Sequence, residues 1–103
     1  MMGIRKQFLK SKPVCKVTFN IPETIGNGAA QAFLVGEFNA WSTSATPMKK
    51  MKNGGFKVTL DLETGRTYQF RYLIGESHWE NDPDADASCP TPYEGSRNSV
   101  IQL

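Results

Sequence analysis

The fold class is decided by residues 56–74, FKVTLDLETGRTYQFRYLI. Apolar residues occupy every second position in two runs, which are Phe56, Val58, Leu60 and Leu62, and then Tyr68, Phe70, Tyr72 and Ile74. A period of two is typical of β-strands that place one face on a hydrophobic core and the other in water. Between the runs, Glu63-Thr64-Gly65-Arg66 has the composition of a tight turn. This stretch therefore predicts two consecutive strands.

The same alternation extends outward from this stretch. Further runs are Cys15, Val17 and Phe19, and then Phe33, Val35 and Glu37 against Ala32, Leu34 and Gly36. Short strands are also expected at residues 48–52 and 99–103. Asn53-Gly54-Gly55 predicts a hairpin, because Asn and Gly tolerate the positive φ of tight turns, and Gly75-Glu76-Ser77 predicts another turn. Six or seven short strands without a sustained helical period favour an all-β antiparallel sandwich.

Length and composition restrict the chain to one domain. It has 103 residues, of which 39% are hydrophobic and 11% aromatic, enough to build a single core. These fractions exclude a disordered chain, and the length excludes a (β/α)₈ barrel. We expect residues 1–12 to form a flexible basic extension and residues 13–103 to form the sandwich.

Charge and hydropathy limit the partners. A formal net charge of +2 argues against a strongly cationic nucleic-acid binder. No apolar stretch approaches the roughly 20 residues of a membrane span, and the N-terminus lacks a signal-peptide pattern. We therefore expect a cytoplasmic protein without nucleic-acid or membrane partners. The basic residues from Arg5 to Lys16 fit a solvated tail better than a phosphate- or lipid-binding segment, and Lys49, Lys50 and Lys52 fit an edge strand protected by charge.

The cysteines and the acidic run fit structural roles better than chemical ones. Cys15 is expected to be a small buried hydrophobe, whereas Cys89, beside Pro90, suits a loop, and neither has the spacing of a zinc or redox site. The run from Asp82 to Asp86 begins like a calcium loop but lacks its later glycine and glutamate. Without apolar neighbours these aspartates also do not resemble a glycosidase pair. We expect a solvated loop, with no metal, cofactor or catalytic residue.

Two tryptophans are candidates for a binding surface. Trp41 lies in GEFNAWST, residues 36–43, and Trp79 lies in ESHWENDP, residues 76–83. Both have polar neighbours on each side, which is unusual for a core residue. An exposed aromatic ring can pack against the C–H face of a sugar while polar groups bind its hydroxyls. The alternative, that both rings are core anchors, remains open because tryptophan is highly buried on average.

Several segments in order carry a family resemblance. Residues 32–41, AFLVGEFNAW, contain the pattern G-x-F-N-x-W, and the likeness continues through residues 68–72, 79–83 and 98–103. Together these resemble the family 48 carbohydrate-binding modules over about residues 14–103. That family includes the glycogen-binding domain of the AMP-activated protein kinase β subunit and the N-terminal early-set domains of isoamylases and branching enzymes. The resemblance implies an immunoglobulin-like β-sandwich of the early-set type that binds α-1,4-linked glucan.

The resemblance also implies the main contacts of the site. Trp41 and Trp79 match the two tryptophans that stack on glucose rings in the kinase-type members. Arg71 stands where a basic residue bonds sugar hydroxyls. From the residues alone, Gln69 and Arg71 face away from the aromatic side of their strand, so Arg71 could also be an ordinary solvated strand residue.

Near the last strand the resemblance is less complete. Ser96 and Asn98 match a threonine and an asparagine that contact sugar, although Asn98 could equally open the strand as a turn former. Glu94 replaces an aliphatic residue of the family pattern, and the neighbouring Tyr93 is a candidate for that apolar contact instead.

Together these features predict a non-catalytic module that binds glycogen-like or starch-like α-glucan, with maltooligosaccharide and cyclodextrin as small ligands. The alternative is an interaction or regulatory module that docks on a glucan-metabolising enzyme or kinase and retains only a vestigial sugar site. Glu94 motivates this alternative, and exposed tryptophans would serve a protein interface as well as a sugar.

Overall fold

The computed structural model describes residues 3–26, 28–91 and 96–103, and strands dominate them. The strands in these residues are β1 (Gly3–Phe8), β2 (Val14–Ile21), β3 (Ala32–Gly36), β4 (Lys49–Lys50), β5 (Phe56–Glu63), β6 (Thr67–Ile74), β7 (His78–Glu80), β8 (Ala87–Pro90) and β9 (Arg97–Gln102). Between them lie the one-turn helix α1 (Glu23–Gly26) and a 3₁₀ turn (Glu37–Asn39). No helix within the described ranges has the length and apolar character needed to cross a membrane.

The strands form two antiparallel sheets. The first sheet has the order β1-β2-β5-β4, and the second has the order β3-β6-β9-β8 with β7 paired to β6. The predicted turn at Asn53-Gly54-Gly55 joins β4 to β5, and Gly75, at φ 68°, lies in the turn between β6 and β7. The predicted all-β sandwich is therefore confirmed.

The core between the sheets is built from the alternating residues of β2, β5 and β6. The β6 side chains in the core cluster are the predicted ones, Tyr68, Phe70, Tyr72 and Ile74, and those of β2 are Cys15, Val17, Phe19 and Ile21. The rings of Phe19 and Phe70 meet edge to face with centroids 5.2 Å apart, and Phe70 meets Tyr72 in the same manner at 5.7 Å. Edge-to-face rings fix the two sheets relative to each other.

The turn after β5 carries the chain from the first sheet to the second. Gly65 has φ 76°, which favours glycine, and the chain then enters β6 at Thr67. The Tyr68 hydroxyl donates a hydrogen bond to the Glu63 carbonyl oxygen at 3.0 Å. The two strands of residues 56–74 lie in different sheets. This bond ties the start of β6 to the end of β5 across the turn that joins them.

A strand lies within residues 1–12, where the sequence predicts a flexible extension. Residues 3–8 form β1, which pairs with β2 from Gly3 opposite Asn20 to Phe8 opposite Cys15. The Lys6 ammonium donates to Asp86 Oδ2 at 2.6 Å, in a segment 80 positions away. Burial raises the pKa of Asp86, but hydrogen bonds from the Gln102 N–H and Lys6 outweigh it and hold that pKa below its usual value. This remote partner is invisible in the local sequence pattern.

Two further expectations differ from the structure. In β3 the residues in the main core cluster are Ala32 and Leu34 rather than Phe33, because this strand is apolar on both faces and alternation alone does not choose between them. Cys89 lies in β8 opposite Asn98 rather than in a loop. Strand β8 is an edge strand, where the missing N–H of Pro90 is tolerated.

Asp82 is buried rather than solvated, at 4% exposure. The Tyr72 hydroxyl donates to its Oδ2 at 2.6 Å, and the Asp84 N–H donates to its Oδ1 at 2.8 Å. The Asp82 N–H donates to Ser99 Oγ at 2.9 Å. Burial raises the pKa of Asp82, and burial together with the nearby Asp82 charge raises the pKa of Tyr72. These bonds anchor the chain after β7 to both β6 and β9.

Gly36 permits the close approach of β3 to β6. A Cβ at this position would lie 2.6 Å from the Gln69 carbonyl oxygen and 2.8 Å from Phe70 Cβ. We expect Gly36→Ala to lower the free energy of unfolding by about 1–3 kcal/mol, because packed backbone must move to make room. Gly3→Ala is the matched control, since its nearest neighbour would be Asp84 Oδ2 at 3.5 Å. Equal urea-denaturation midpoints for the two variants would contradict this view of Gly36.

The Tyr72–Asp82 hydrogen bond predicts a pH-dependent stability difference. At about pH 7, Tyr72→Phe leaves an ionised buried carboxylate with one donor fewer, and we expect a loss of about 1–3 kcal/mol. Because burial raises the folded-state pKa of Asp82 above its unfolded value, the folded protein takes up this proton first as the pH falls. A neutral carboxyl needs the donor less, so the loss should shrink towards about pH 4.

Tyr68→Phe provides the matched control for this prediction. Its hydroxyl donates to a carbonyl oxygen, which does not titrate, so its cost should stay constant over the same pH range. Both variants are measured by urea denaturation at each pH against the wild type. A Tyr72→Phe loss that does not change with pH would show that the charge of Asp82 is unimportant to the bond.

Candidate functional site

Trp41 is held at the surface by the turn that follows β3. The Asn39 side chain organises this turn, since its Oδ1 accepts from the Gly36 N–H at 3.1 Å and its Nδ2 donates to the Leu34 carbonyl oxygen at 2.9 Å. Trp41 itself has φ 60°, and its N–H donates to the Gly36 carbonyl oxygen at 2.9 Å. Its side chain is 40% exposed, so it is not a core anchor.

Trp79 is presented by the hairpin of β6 and β7. It lies opposite Leu73 in the register of these strands and is 43% exposed. The residues that follow it are fixed in place, because Asn81 Nδ2 donates to the Arg97 carbonyl oxygen at 3.0 Å and Asp82 is buried. Leu73 lies two residues along β6 from Arg71, so Trp79 is carried on the same face as that guanidinium.

Arg71 is the centre of a polar network on the outer face of the second sheet. Its Nε donates to Asn98 Oδ1 at 2.7 Å, and its Nη2 donates to Ser96 Oγ. Asn98 Nδ2 in turn donates to Gln69 Oε1 at 3.0 Å. The Gln69 N–H donates to Glu37 Oε1 at 2.7 Å, which joins the network to the turn that carries Trp41.

These groups share one open cleft of about 390 Å³, which we call the aromatic cleft. The residues that line it are Glu37, Trp41, Gln69, Arg71, Trp79, Thr91 and Asn98. Two half-exposed indole rings and a connected set of donors and acceptors therefore face the same space. Such a surface can pack against an apolar face and bind hydroxyl groups at its edges.

Most of the residues predicted for the site come together in this cleft. Trp41, Trp79, Arg71 and Asn98 line it, and Ser96 accepts a hydrogen bond from Arg71 without lining the cleft. Tyr93 and the neighbouring Glu94 lie outside the described residues.

Three lining residues were missed from the sequence: Glu37, Gln69 and Thr91. Gln69 could have been predicted from the sequence, because it lies two residues from Arg71 on β6 and therefore on the same face of the strand. Glu37 was assigned to the alternation of β3, but the chain leaves the strand at Gly36 and turns the carboxylate into the cleft. Thr91 gave no signal, since it follows the unexpected strand β8.

Several other titratable groups lie outside the aromatic cleft. His78 Nε2 is 2.7 Å from Glu80 Oε2 on the same edge of β7 and does not line the aromatic cleft. Asp82 and Asp86 are bonded to Tyr72 and Lys6 respectively. Across the part of the chain that the structure describes, no group of three or more His, Cys, Asp or Glu residues is arranged to hold a metal ion.

A plant protein is similar to part of this chain. The chain is 37% identical over 57 residues to "Protein PTST homolog 2, chloroplastic" of Arabidopsis thaliana. The aligned segment is 55% of this chain and 10% of that protein, so the chain spans about a tenth of its relative's length.

A family comparison covers more of the chain. The family described as "Glycogen recognition site of AMP-activated protein kinase" matches residues 17–103, from the second half of β2 to the C-terminal residue. The match contains both tryptophans and the whole Arg71 network. The protein therefore belongs to this glycogen recognition site family.

Proposed function

We propose that the protein is a non-catalytic module that binds α-1,4-linked glucan, such as glycogen or starch, in the aromatic cleft. One observation carries this proposal: two half-exposed tryptophans and the Arg71 network open into the same cleft. Trp41 and Trp79 stack on the C–H faces of glucosyl units. Membership of a glycogen recognition family supports the same class of ligand.

The polar network orients the sugar between the stacked rings. Two of the five N–H donors of Arg71 already bind Asn98 and Ser96, so the guanidinium is fixed before ligand arrives. A fixed donor loses less side-chain entropy on binding than a free arginine does. Gln69 and Glu37 continue this network along the cleft and present amide and carboxylate groups to hydroxyls.

The open shape of the cleft favours weak and reversible binding. Two stacks contribute about 1 kcal/mol each beyond the buried area, and exposed hydrogen bonds add little, so we expect dissociation constants on the order of micromolar to millimolar.

Glu37 is the sole carboxylate among the described residues that line the cleft, whereas glycosidases use a pair. This supports recognition without hydrolysis. A cytoplasmic location stays a prediction, and the name of the Arabidopsis relative assigns that protein to the chloroplast.

The competing proposal is that the tryptophans contact a partner protein, for example a glucan-metabolising enzyme or kinase. Exposed tryptophans are typical of protein interfaces. The two proposals differ in their response to small ligand, because only a sugar site responds to soluble maltoheptaose or β-cyclodextrin. A saturable titration of tryptophan fluorescence favours the sugar site, and a flat titration favours the interface.

Removal of either indole ring should weaken glucan binding without unfolding the protein. We expect Trp41→Ala and Trp79→Ala each to weaken maltoheptaose binding at least tenfold, which equals about 1.4 kcal/mol, because each loses a stack and its buried area. Isothermal titration calorimetry measures the affinity, and thermal unfolding checks the fold. Phe8→Ala is the control, since Phe8 is 54% exposed and lies outside the cleft. Unchanged affinity in both tryptophan variants would refute stacking.

Removal of the Arg71 guanidinium tests the polar half of the site. We expect Arg71→Met to weaken maltoheptaose binding about tenfold, because charged hydrogen bonds contribute about 1.5–3 kcal/mol and part of this is recovered from water. Arg97→Met is the matched control, since Arg97 bonds Ser88 outside the cleft. Equal losses in the two variants, measured by calorimetry, would assign the effect to net charge rather than to this contact.

A further inference from the structure

A second cleft, of about 690 Å³, lies at the end of the first sheet, and we call it the lysine cleft. It surrounds the turn between β4 and β5. Its basic residues are Lys49, Lys50, Lys52 and Lys57, its amide residues are Asn20 and Asn53, and its remaining lining residues are Ile21, Pro22, Met51, Gly55 and Phe56. Four lysines therefore line a concave surface that also offers apolar contacts.

The strand register places two of these lysines against each other. Lys49 of β4 lies directly opposite Lys57 of β5. Like charges in directly opposed positions destabilise a sheet. On the same face, Lys16 lies opposite Asp61, so that cross-strand pair is neutralised. The repulsion is thus confined to the end of the sheet that forms the cleft.

The protein supplies little counter-charge to this cleft. Within the described residues, Lys49, Lys52 and Lys57 form no ion pair. Lys50 donates to the Ala29 carbonyl oxygen at 2.9 Å, which satisfies a hydrogen bond but not the charge. Glu23 packs near the turn at Gly54 without lining the cleft. An acidic ligand would relieve the repulsion between the opposed lysines.

We propose that the lysine cleft is a docking site for an acidic segment of a partner polypeptide. Carboxylates of the segment pair with Lys49, Lys52 and Lys57, and an apolar side chain packs against the Pro22 and Met51 part of the lining. Charge complementarity favours an acidic segment, since every charged residue of the described lining is a lysine. Lysine can bind phosphate as a point charge, but the described lining contains no arginine, whose planar fork binds phosphate in bidentate fashion.

The lysine cleft is independent of the aromatic cleft. It is built on β2, β4 and β5 of the first sheet, whereas the aromatic cleft is built mainly on β6, β7 and β9 of the second, and the two share no described lining residue. Acidic peptide should therefore bind with the same affinity in the presence of saturating maltoheptaose. This separation allows the docking proposal to fail while glucan binding stands, or the reverse.

The test uses a fluorescein-labelled twelve-residue peptide of repeated Glu-Asp-Leu, titrated with the full chain and followed by fluorescence anisotropy. We expect saturable binding at low ionic strength that weakens at least tenfold between about 50 and 500 mM NaCl, because the contacts are exposed charges. The same peptide with Gln and Asn in place of its acids should not bind. Failure of the acidic peptide to bind at up to about 1 mM protein in low salt, weaker than any useful docking affinity, would overturn the proposal.

Charge reversals locate the site. We expect Lys49→Glu and Lys57→Glu each to weaken peptide binding at least tenfold, while thermal stability is kept or raised because each converts the opposed lysine pair into an ion pair. Lys12→Glu makes the same change in net charge outside the cleft and should weaken binding less than twofold. An equal loss in Lys12→Glu would overturn the proposal in favour of general attraction.

Competition distinguishes the peptide from other anions. Inorganic phosphate and vesicles containing a third phosphatidylserine are added at matched ionic strength. We expect neither to displace the peptide more than NaCl does, because a concave lysine surface favours a segment that enters it. Greater displacement by phosphate or vesicles than by NaCl at the same ionic strength would overturn the proposal and assign the cleft to phosphate groups or to a membrane surface.

Discussion

The pleat of β6 points Tyr68, Phe70 and Tyr72 into the core and Gln69 and Arg71 into the aromatic cleft. Because side chains alternate strictly along a strand, a slip of one residue in register would exchange the two sets. The aromatic contacts of Phe70 in the core therefore also fix the direction of the Arg71 guanidinium. The surface of the aromatic cleft is held in place by the strand beneath it, whose rings pack edge to face in the core, and by the hydrogen bond from Arg71 to Asn98.

The buried carboxylate of Asp82 connects this strand to the two other parts of the site. It accepts from Tyr72 on β6, and the backbone of the same residue donates to Ser99, next to the cleft residue Asn98. Asp82 also lies three residues after Trp79. Burying a charge costs free energy unless its hydrogen bonds are satisfied. Here that cost is offset by bonds to Tyr72 and the Asp84 N–H, and the result is a fixed position for the segment after Trp79.

Patterns of neighbouring residues were enough to predict the inward faces of strands and the positions of tight turns. Two-residue alternation gave the correct inward faces of β2 and β6, and the turn at residues 53–55 followed from Asn and Gly. What failed depends on distant partners. Lys6 is bonded to Asp86, and the buried Asp82 is bonded to Tyr72 and Ser99, contacts that no window of neighbouring residues contains. The sequence likewise indicated the lining residues of the aromatic cleft that match a family pattern and missed Glu37, Gln69 and Thr91.

The two clefts would respond to solution conditions in opposite ways. Stacking of a neutral sugar on indole rings depends on apolar contact and is insensitive to salt, whereas pairing of carboxylates with exposed lysines is screened within about 10 Å at 0.1 M salt. Since the clefts belong to different sheets, occupation of one leaves the other open. A partner held by its acidic segment would then share one small module with a bound glucan chain. Such tethering raises the local concentration of glucan around the partner without any new contact between them, and moderate affinities at both clefts are sufficient for that effect.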